Sequence, residues 1–290
     1  LLAASHEAST LDPAWALPAE PRDAMLRGLD AFVKGQIERK GWSPRQDLTV
    51  RKLAAIEALS RHGKASASLL QSIEIAPNQW PTHALIDWLN ILQRVADVPR
   101  RAERLQEVQQ ILRSRLSWQG TKLVFSTETD DRWWWLMQNG DVNTARLLLA
   151  VMDDPAWKDD MGRLASGFIA RQQRGTWQTT TANLWGGLAL QKFAARFEST
   201  PVTGSTRATL GTASATVDWR QVVRADPQAP VAAGFATVGP ATTAAGETPG
   251  PWRHNSATLP WPKDAATLSV AHTGSGQPWV TLQSLAAVDR

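Results

Sequence analysis

The sequence predicts a mainly α protein: an α/α toroid of antiparallel helical hairpins, followed by a smaller β-sandwich portion whose completeness the sequence leaves open. Three observations carry this. Up to about residue 198 the apolar residues recur at helical spacing. After Phe197-Glu198-Ser199-Thr200-Pro201 the pattern alternates with a period near two, and Thr, Val, Gly and Pro replace Leu and Arg. Within the first part, a glycine-tryptophan turn leading into an apolar helix occurs twice. The expected domains are therefore residues 1–198, helical, and 199–290, β.

The helical stripes follow in order. Met25, Leu29, Phe32, Val33 and Ile37 form the first; Leu53, Ile56 and Leu59 the second; Leu85, Trp88, Leu89, Leu92 and Val95 the third. Leu105, Val108 and Leu112 come next, then Leu147, Leu148 and Val151, then Leu164, Phe168 and Ile169, and finally Leu184, Trp185, Leu188 and Phe193. Pro21 sits near the start of one helix, Pro81 and Thr82 open another, and Arg61-His62-Gly63-Lys64 has the basic last turn and glycine of a helix end. Mostly short connections make neighbouring helices antiparallel pairs.

The repeated turn reads Lys40-Gly41-Trp42-Ser43-Pro44-Arg45-Gln46-Asp47 before the second stripe and Arg174-Gly175-Thr176-Trp177-Gln178-Thr179-Thr180 before the last. In this plan the glycine ends one helix, the Trp ring covers the turn, and a Thr or Asp caps the next helix. About eight helices so paired stack as a solenoid or close into a ring, and the ring is the preferred reading. In the second part, Thr206-Arg-Ala-Thr-Leu-Gly, Ala215-Thr-Val-Asp-Trp, Ala266-Thr-Leu-Ser-Val-Ala and Pro278-Trp-Val-Thr-Leu-Gln-Ser-Leu read as strands, and residues 239–251 as a long connection.

Composition excludes several functions. There is no cysteine, which removes disulfides, thiolate metal sites and cysteine nucleophiles. The formal charge of +4 is spread among interspersed acids and bases, which argues against a nucleic-acid partner. No apolar run approaches the roughly 20 residues of a membrane span. The opening LLAASHEAST has neither an initiating Met nor a basic leader and reads as the start of a fragment or processed form.

Candidate sites are few. Thr129-Asp130-Asp131-Arg132 and Asp153-Asp154-Pro155-Ala156-Trp157-Lys158-Asp159-Asp160 read as solvated loops with capping carboxylates, since neither has the spacing of a calcium loop. His6, His62, His83, His254 and His272 are scattered, with no two at ligand spacing. Phosphate loops, dinucleotide fingerprints and Gly-x-Ser-x-Gly elbows are missing. No catalytic, metal or cofactor-binding residue and no cofactor is expected. The unusual run is Trp133-Trp134-Trp135: spread over about 200° of a helix, three adjacent rings do not share one core, so the run is a candidate interface with a neighbouring domain, with carbohydrate or peptide stacking as the alternative. Pro99-Arg100-Arg101-Ala102-Glu103-Arg104 reads as a solvated helix start.

Two resemblances enter here. Gln172-Gln173-Arg174-Gly175-Thr176-Trp177 resembles the Gln and Gly-x-Trp repeats of terpene cyclases, yet the Asp-x-Asp-Asp acid is missing. More of the chain resembles bacterial alpha-2-macroglobulins. The stretch Asp141-Val-Asn-Thr-Ala-Arg-Leu-Leu-Leu-Ala-Val-Met, with Phe168-Ile-Ala-Arg-Gln-Gln-Arg-Gly-Thr-Trp-Gln-Thr-Thr-Thr-Ala-Asn-Leu-Trp after it, is similar to the end of their thioester domain, a complement-like α/α toroid. Pro201-Val-Thr-Gly and Thr273-Gly-Ser-Gly-Gln-Pro-Trp-Val-Thr-Leu look like the strands that return through the adjoining CUB domain.

That resemblance implies a non-enzymatic part of a protease inhibitor, periplasmic or membrane-anchored facing the periplasm, that traps endopeptidases after they cut a bait region. Its partners would be those endopeptidases and other domains of the same parent chain. The family's thioester joins a Cys to a Gln, so that chemistry is absent from these residues: the motif lies upstream of Leu1 or has been lost. The alternatives are an α/α-barrel enzyme of terpene cyclase or lyase type, which needs a deep cavity with converging acids or bases, and a helical-repeat scaffold that binds peptide.

Overall fold

A computed structural model describes residues 1–37, 47–126, 134–221 and 258–280. Among the described residues it is mainly helical, with two small antiparallel sheets that do not close. The chain divides into two compact units, Leu1–Lys192 and Phe193–Arg290. The division falls inside the last helix.

The first unit contains α1 (Leu2–Ser9), α2 (Ala19–Val33), α3 (Leu48–Arg61), α4 (Thr82–Arg94), α5 (Arg101–Ser114), α6 (Gly140–Val151), α7 (Met161–Ile169) and most of α8 (Thr180–Phe197). At its centre is α4, where every residue from Thr82 to Leu92 is buried. It packs against α3, α5 and α6, which explains why its sequence is apolar nearly all round. Trp88, Trp157, Phe168 and the leucines of α3, α4 and α6 fill the interior.

Helix ends follow local chemistry. At the end of α3, Lys64 N–H donates to Leu59 O at 2.9 Å and Gly63 N–H to Ser60 O at 3.1 Å, the paired bonds of a Schellman closure, with Gly63 at φ +65°. Asn139 caps α6 by accepting from Val142 N–H at 2.9 Å. Pro81 immediately precedes α4, as its sequence indicates.

Some stripe positions lie on the outer side. Met25, Ile37, Ile169 and Leu184 are exposed, while Leu26 and Ala182 are buried. In α8 the buried apolar residues are Ala182, Trp185, Leu188, Ala189 and Phe193, a helical stripe that turns Leu184 outward.

The helical half also contains a hairpin, where the sequence pattern had suggested helices alone. Leu116–Gln119 (β1) and Lys122–Phe125 (β2) pair antiparallel with Gln119 opposite Lys122. β2 packs on α7, and Gly167 permits the approach: a Cβ there would sit 2.4 Å from Leu123 O.

In the second unit, β3 (Ser205–Leu210) lies between β4 (Ala213–Asp218) and β5 (Leu268–Thr273), antiparallel to both. Thr206 on β3 is buried; its hydroxyl accepts from Trp219 Nε1 at 2.8 Å and lies 2.9 Å from His272 Nδ1. The expected strand at 266–271 begins two residues later than its sequence suggested. Residues 278–280 are not a strand, and the remainder of that segment and the 239–251 connection lie outside the described residues.

Candidate functional site

Inside the first unit, polar residues interrupt the apolar stripes and meet in one cluster. On α3, Glu57 and Arg61 are four residues apart on one face, and Arg61 Nε donates to Glu57 Oε1 at 2.6 Å. On α4, Asp87, Asn90 and Arg94 lie three and four residues apart on one face. Arg94 Nη1 reaches the same Glu57 oxygen at 3.3 Å. Arg146 of α6 donates through Nη2 to Asp87 Oδ1. Glu7 of α1 accepts from Arg61 on one carboxylate oxygen and from Lys192 of α8 on the other. Trp185 of α8 lies beneath the guanidiniums of Arg61 and Arg146, 5.9 and 5.4 Å from their centres.

These charges are deeply placed. Asp87 is 2% exposed, and the side chains of Glu57 and Arg61 are almost as buried. A buried charge is tolerated only when paired, and each carboxylate here has a cation. Burial pushes the Glu7 carboxyl up, but Arg61 and Lys192 outweigh it and hold it below the usual carboxylate range. Burial dominates at Asp87, pushing its carboxyl up against the pull of Arg146. Arg94 is pushed down, first by burial and then by the positive charge of Arg61.

Beside this cluster is a polar cleft of about 70 Å³, lined in part by Arg94, Arg61, Arg146, Gln93 and Trp185. The His6 and His62 rings, one residue along the chain from Glu7 and Arg61, meet edge to face at 5.1 Å. Burial, then Arg61, pushes His6 below the usual imidazole range; burial, then Arg22, does the same to His62. Their Nδ1 and Nε2 atoms, respectively, are buried without a hydrogen-bond partner among the described residues.

The turn before α8 forms a joint of its own. Trp177 is 7% exposed, stacks on Phe168 at 4.2 Å and donates Nε1–H to Phe168 O at 3.1 Å. Thr179 Oγ1 accepts from Ala182 N–H at 3.1 Å and caps α8. Asn183 completes the joint, accepting from Trp177 N–H and donating to Trp177 O. Gly175 does not end a helix: α7 finishes at Ile169, and Arg174 and Gly175, with φ of +54° and +82°, form a tight turn between the bridged residues Gln173 and Thr176.

Of the tryptophan run, Trp133 and the side chain of Trp134 lie outside the described residues. Trp135 is 43% exposed and donates Nε1–H to the buried Asp47 at 3.0 Å. The 40–46 turn and residues 129–132 also lie outside the described residues, as does His254. Asp154 and Asp160 act as a cap and an ion-pair partner: Asp154 accepts from Ala156 N–H at 2.9 Å, and Asp160 pairs with Arg113 at 2.6 Å. Among the described residues no group of three or more His, Asp or Glu is placed to hold a metal ion.

The charged cluster escaped the sequence reading because its partners are distant along the chain. Asp87 and Asn90 within Ala84-Leu-Ile-Asp-Trp-Leu-Asn-Ile-Leu were the available signal: polar residues on a helix with no polar face.

No family model matches the chain, and no curated protein matches it. Among solved structures it is similar to Escherichia coli alpha-2-macroglobulin activated by porcine elastase, at 14% identity and a TM-score of 0.44. The similarity covers 69% of this chain and 17% of that one, and is distant and partial.

Proposed function

We propose that the chain is a non-enzymatic structural portion of a bacterial alpha-2-macroglobulin-like protease inhibitor, in which the helices belong to an α/α toroid and the strands to a CUB-type sandwich. In this reading no thioester chemistry resides in the segment. The parent protein traps endopeptidases in the periplasm after bait cleavage, and Trp133, Trp134 and Trp135 form a contact with another domain of the parent chain.

The observation that carries the reading is the position of Glu7. It ties α1 to Arg61 of α3 and Lys192 of α8, so the first and last helices of the unit meet. A solenoid separates its ends, whereas a ring joins them. The packed interior weighs in the same direction: a cyclase-type enzyme needs a deep cavity with converging acids or bases, whereas Trp88, Trp157 and leucines fill the core and the polar cleft beside the charged cluster spans only about 70 Å³. Among the described residues no helix is long and apolar enough to cross a membrane.

The test uses the full-length parent protein. Cutting it with an endopeptidase such as elastase should change its hydrodynamic radius and block the trapped protease from large substrates while small ones are still cleaved. An unchanged radius together with unchanged access to large substrates would overturn the reading.

A further inference from the structure

We propose that the cleft between α3, α4, α6 and α8 binds a compact oxyanion, a carboxylate or phosphate group, with Arg94 as its principal ligand. Glu57 pairs with Arg61, Glu7 with Lys192 and Asp87 with Arg146, which accounts for three carboxylates and three of the four cations. Arg94 is the fourth. It shares Glu57 with Arg61, and its two hydrogen bonds, to Glu57 and to Asn90 O, both leave from Nη1 and are both 3.3 Å long. These lie beyond the usual 2.7–3.2 Å range for such bonds, and its Nη2 and Nε make none to the described residues.

The space fits the charge. A cavity of about 70 Å³ holds several waters or one compact anion, and its wall includes three cations, Arg94, Arg61 and Arg146, against one carboxylate, Glu7. Arg94 is accessible, with 29% of its side chain exposed, while Arg61 and Arg146 are deeply buried behind it. Burial weakens screening, so one unmatched guanidinium in this setting attracts an anion more strongly than a surface arginine would. Arg94 is also held below its ordinary pKa by burial and by Arg61, which marks a position short of negative charge. A guanidinium presents paired N–H donors that suit carboxylate and phosphate oxygens. The two carboxylates nearest Arg94 do not compete: Glu57 is held by Arg61, and Glu7 by Arg61 and Lys192.

The experiment titrates the 290-residue chain with sodium phosphate or sodium acetate at constant ionic strength, with sodium chloride as the reference, and follows the melting temperature. Either oxyanion should give a saturable rise of roughly 3–6 °C over chloride, and comparing the two shows whether the site prefers a tetrahedral or a planar group. The rise should vanish in Arg94→Gln and persist in Arg113→Gln, a change in an ion pair outside the cleft. Phosphate and acetate that act no differently from chloride on the unsubstituted chain would overturn the proposal. So would an undiminished rise in a folded Arg94→Gln. Because the titration of the unsubstituted chain decides by itself, a variant that fails to fold leaves the test intact.

Discussion

Replacing Trp177 with Ala tests whether the turn before α8 is an architectural joint. The indole is buried, lies nearly parallel to the Phe168 ring at an interplanar angle of 10°, and donates to Phe168 O. Truncating a buried Trp costs about 3–5 kcal/mol, including the cavity that remains. Within that total, the stack contributes about 0.5–1.5 kcal/mol and the hydrogen bond about 1 kcal/mol. We expect about 4 kcal/mol from urea unfolding followed by circular dichroism. Trp177→Phe should cost nearer 1–2 kcal/mol, because a ring remains against Phe168 and Phe168 O still accepts from Arg171 N–H at 3.2 Å. The neighbouring Gly186 sharpens the test: a Cβ there would lie 2.6 Å from the Trp177 ring. Gly186→Ala should therefore cost about 1–3 kcal/mol by overpacking, and much less in the Trp177→Ala background, where the obstructing ring is gone. A cost below about 1 kcal/mol for Trp177→Ala, or purely additive effects of the two changes, would refute the joint.

Other expectations follow from the charged cluster and the caps. Asp87→Asn should cost about 3–5 kcal/mol by leaving Arg146 buried without its counter-ion, whereas the double change Asp87→Leu/Arg146→Met should recover most of that loss; a double-mutant cycle in urea measures the difference. The His6 and His62 imidazoles are held below the usual range, so the unfolded chain binds protons more readily than the folded one. The sign follows: their contribution is intact above about pH 6.5 and is lost as pH falls through the lowered folded values. The urea midpoint should therefore fall over this window, and His6→Gln/His62→Gln should flatten the dependence. Thr179→Ala should cost about 1 kcal/mol through loss of the α8 cap, measurable by the same denaturation.

The sequence made legible those elements whose cause is local. The stripe of α4, the Schellman end at Gly63 and the β3–β4 hairpin each rest on a periodicity or a turn residue visible within a dozen positions. The β1–β2 hairpin carried its signal too, in Gly120 between two short alternating runs, but four-residue strands against a long helical background are easily read through. Gly175 followed the pattern of a helix end, yet α7 had already stopped at Ile169, and the glycine serves a second, tighter turn. The charged cluster was illegible for a different reason. Glu7 meets Arg61 across 54 positions and Lys192 across 185, and no window of sequence contains those pairs.

The same long separations explain what the cluster can do for the fold. Local helix pairs such as α3 with α4 are specified by their own apolar stripes, but nothing apolar in the short α1 selects a particular partner, since its buried residues are only Leu2, Ala4 and Ala8. A carboxylate placed between two cations does select: Glu7 is satisfied only where Arg61 and Lys192 both arrive, and any other docking of α1 strands it or leaves a buried arginine with one partner fewer. Apolar packing around α4 thus supplies most of the stabilisation, while the ion pairs fix which helix closes against which. This division predicts different responses to salt and to truncation. Removing the Glu7 carboxylate with Glu7→Gln should loosen α1 and α8 in hydrogen exchange while leaving the α4 amides protected, because α4 is buried by its neighbours independently of that carboxylate. Equal loss of protection in α1 and α4 would mean that the helices form one cooperative unit and that Glu7 contributes to its stability as a whole.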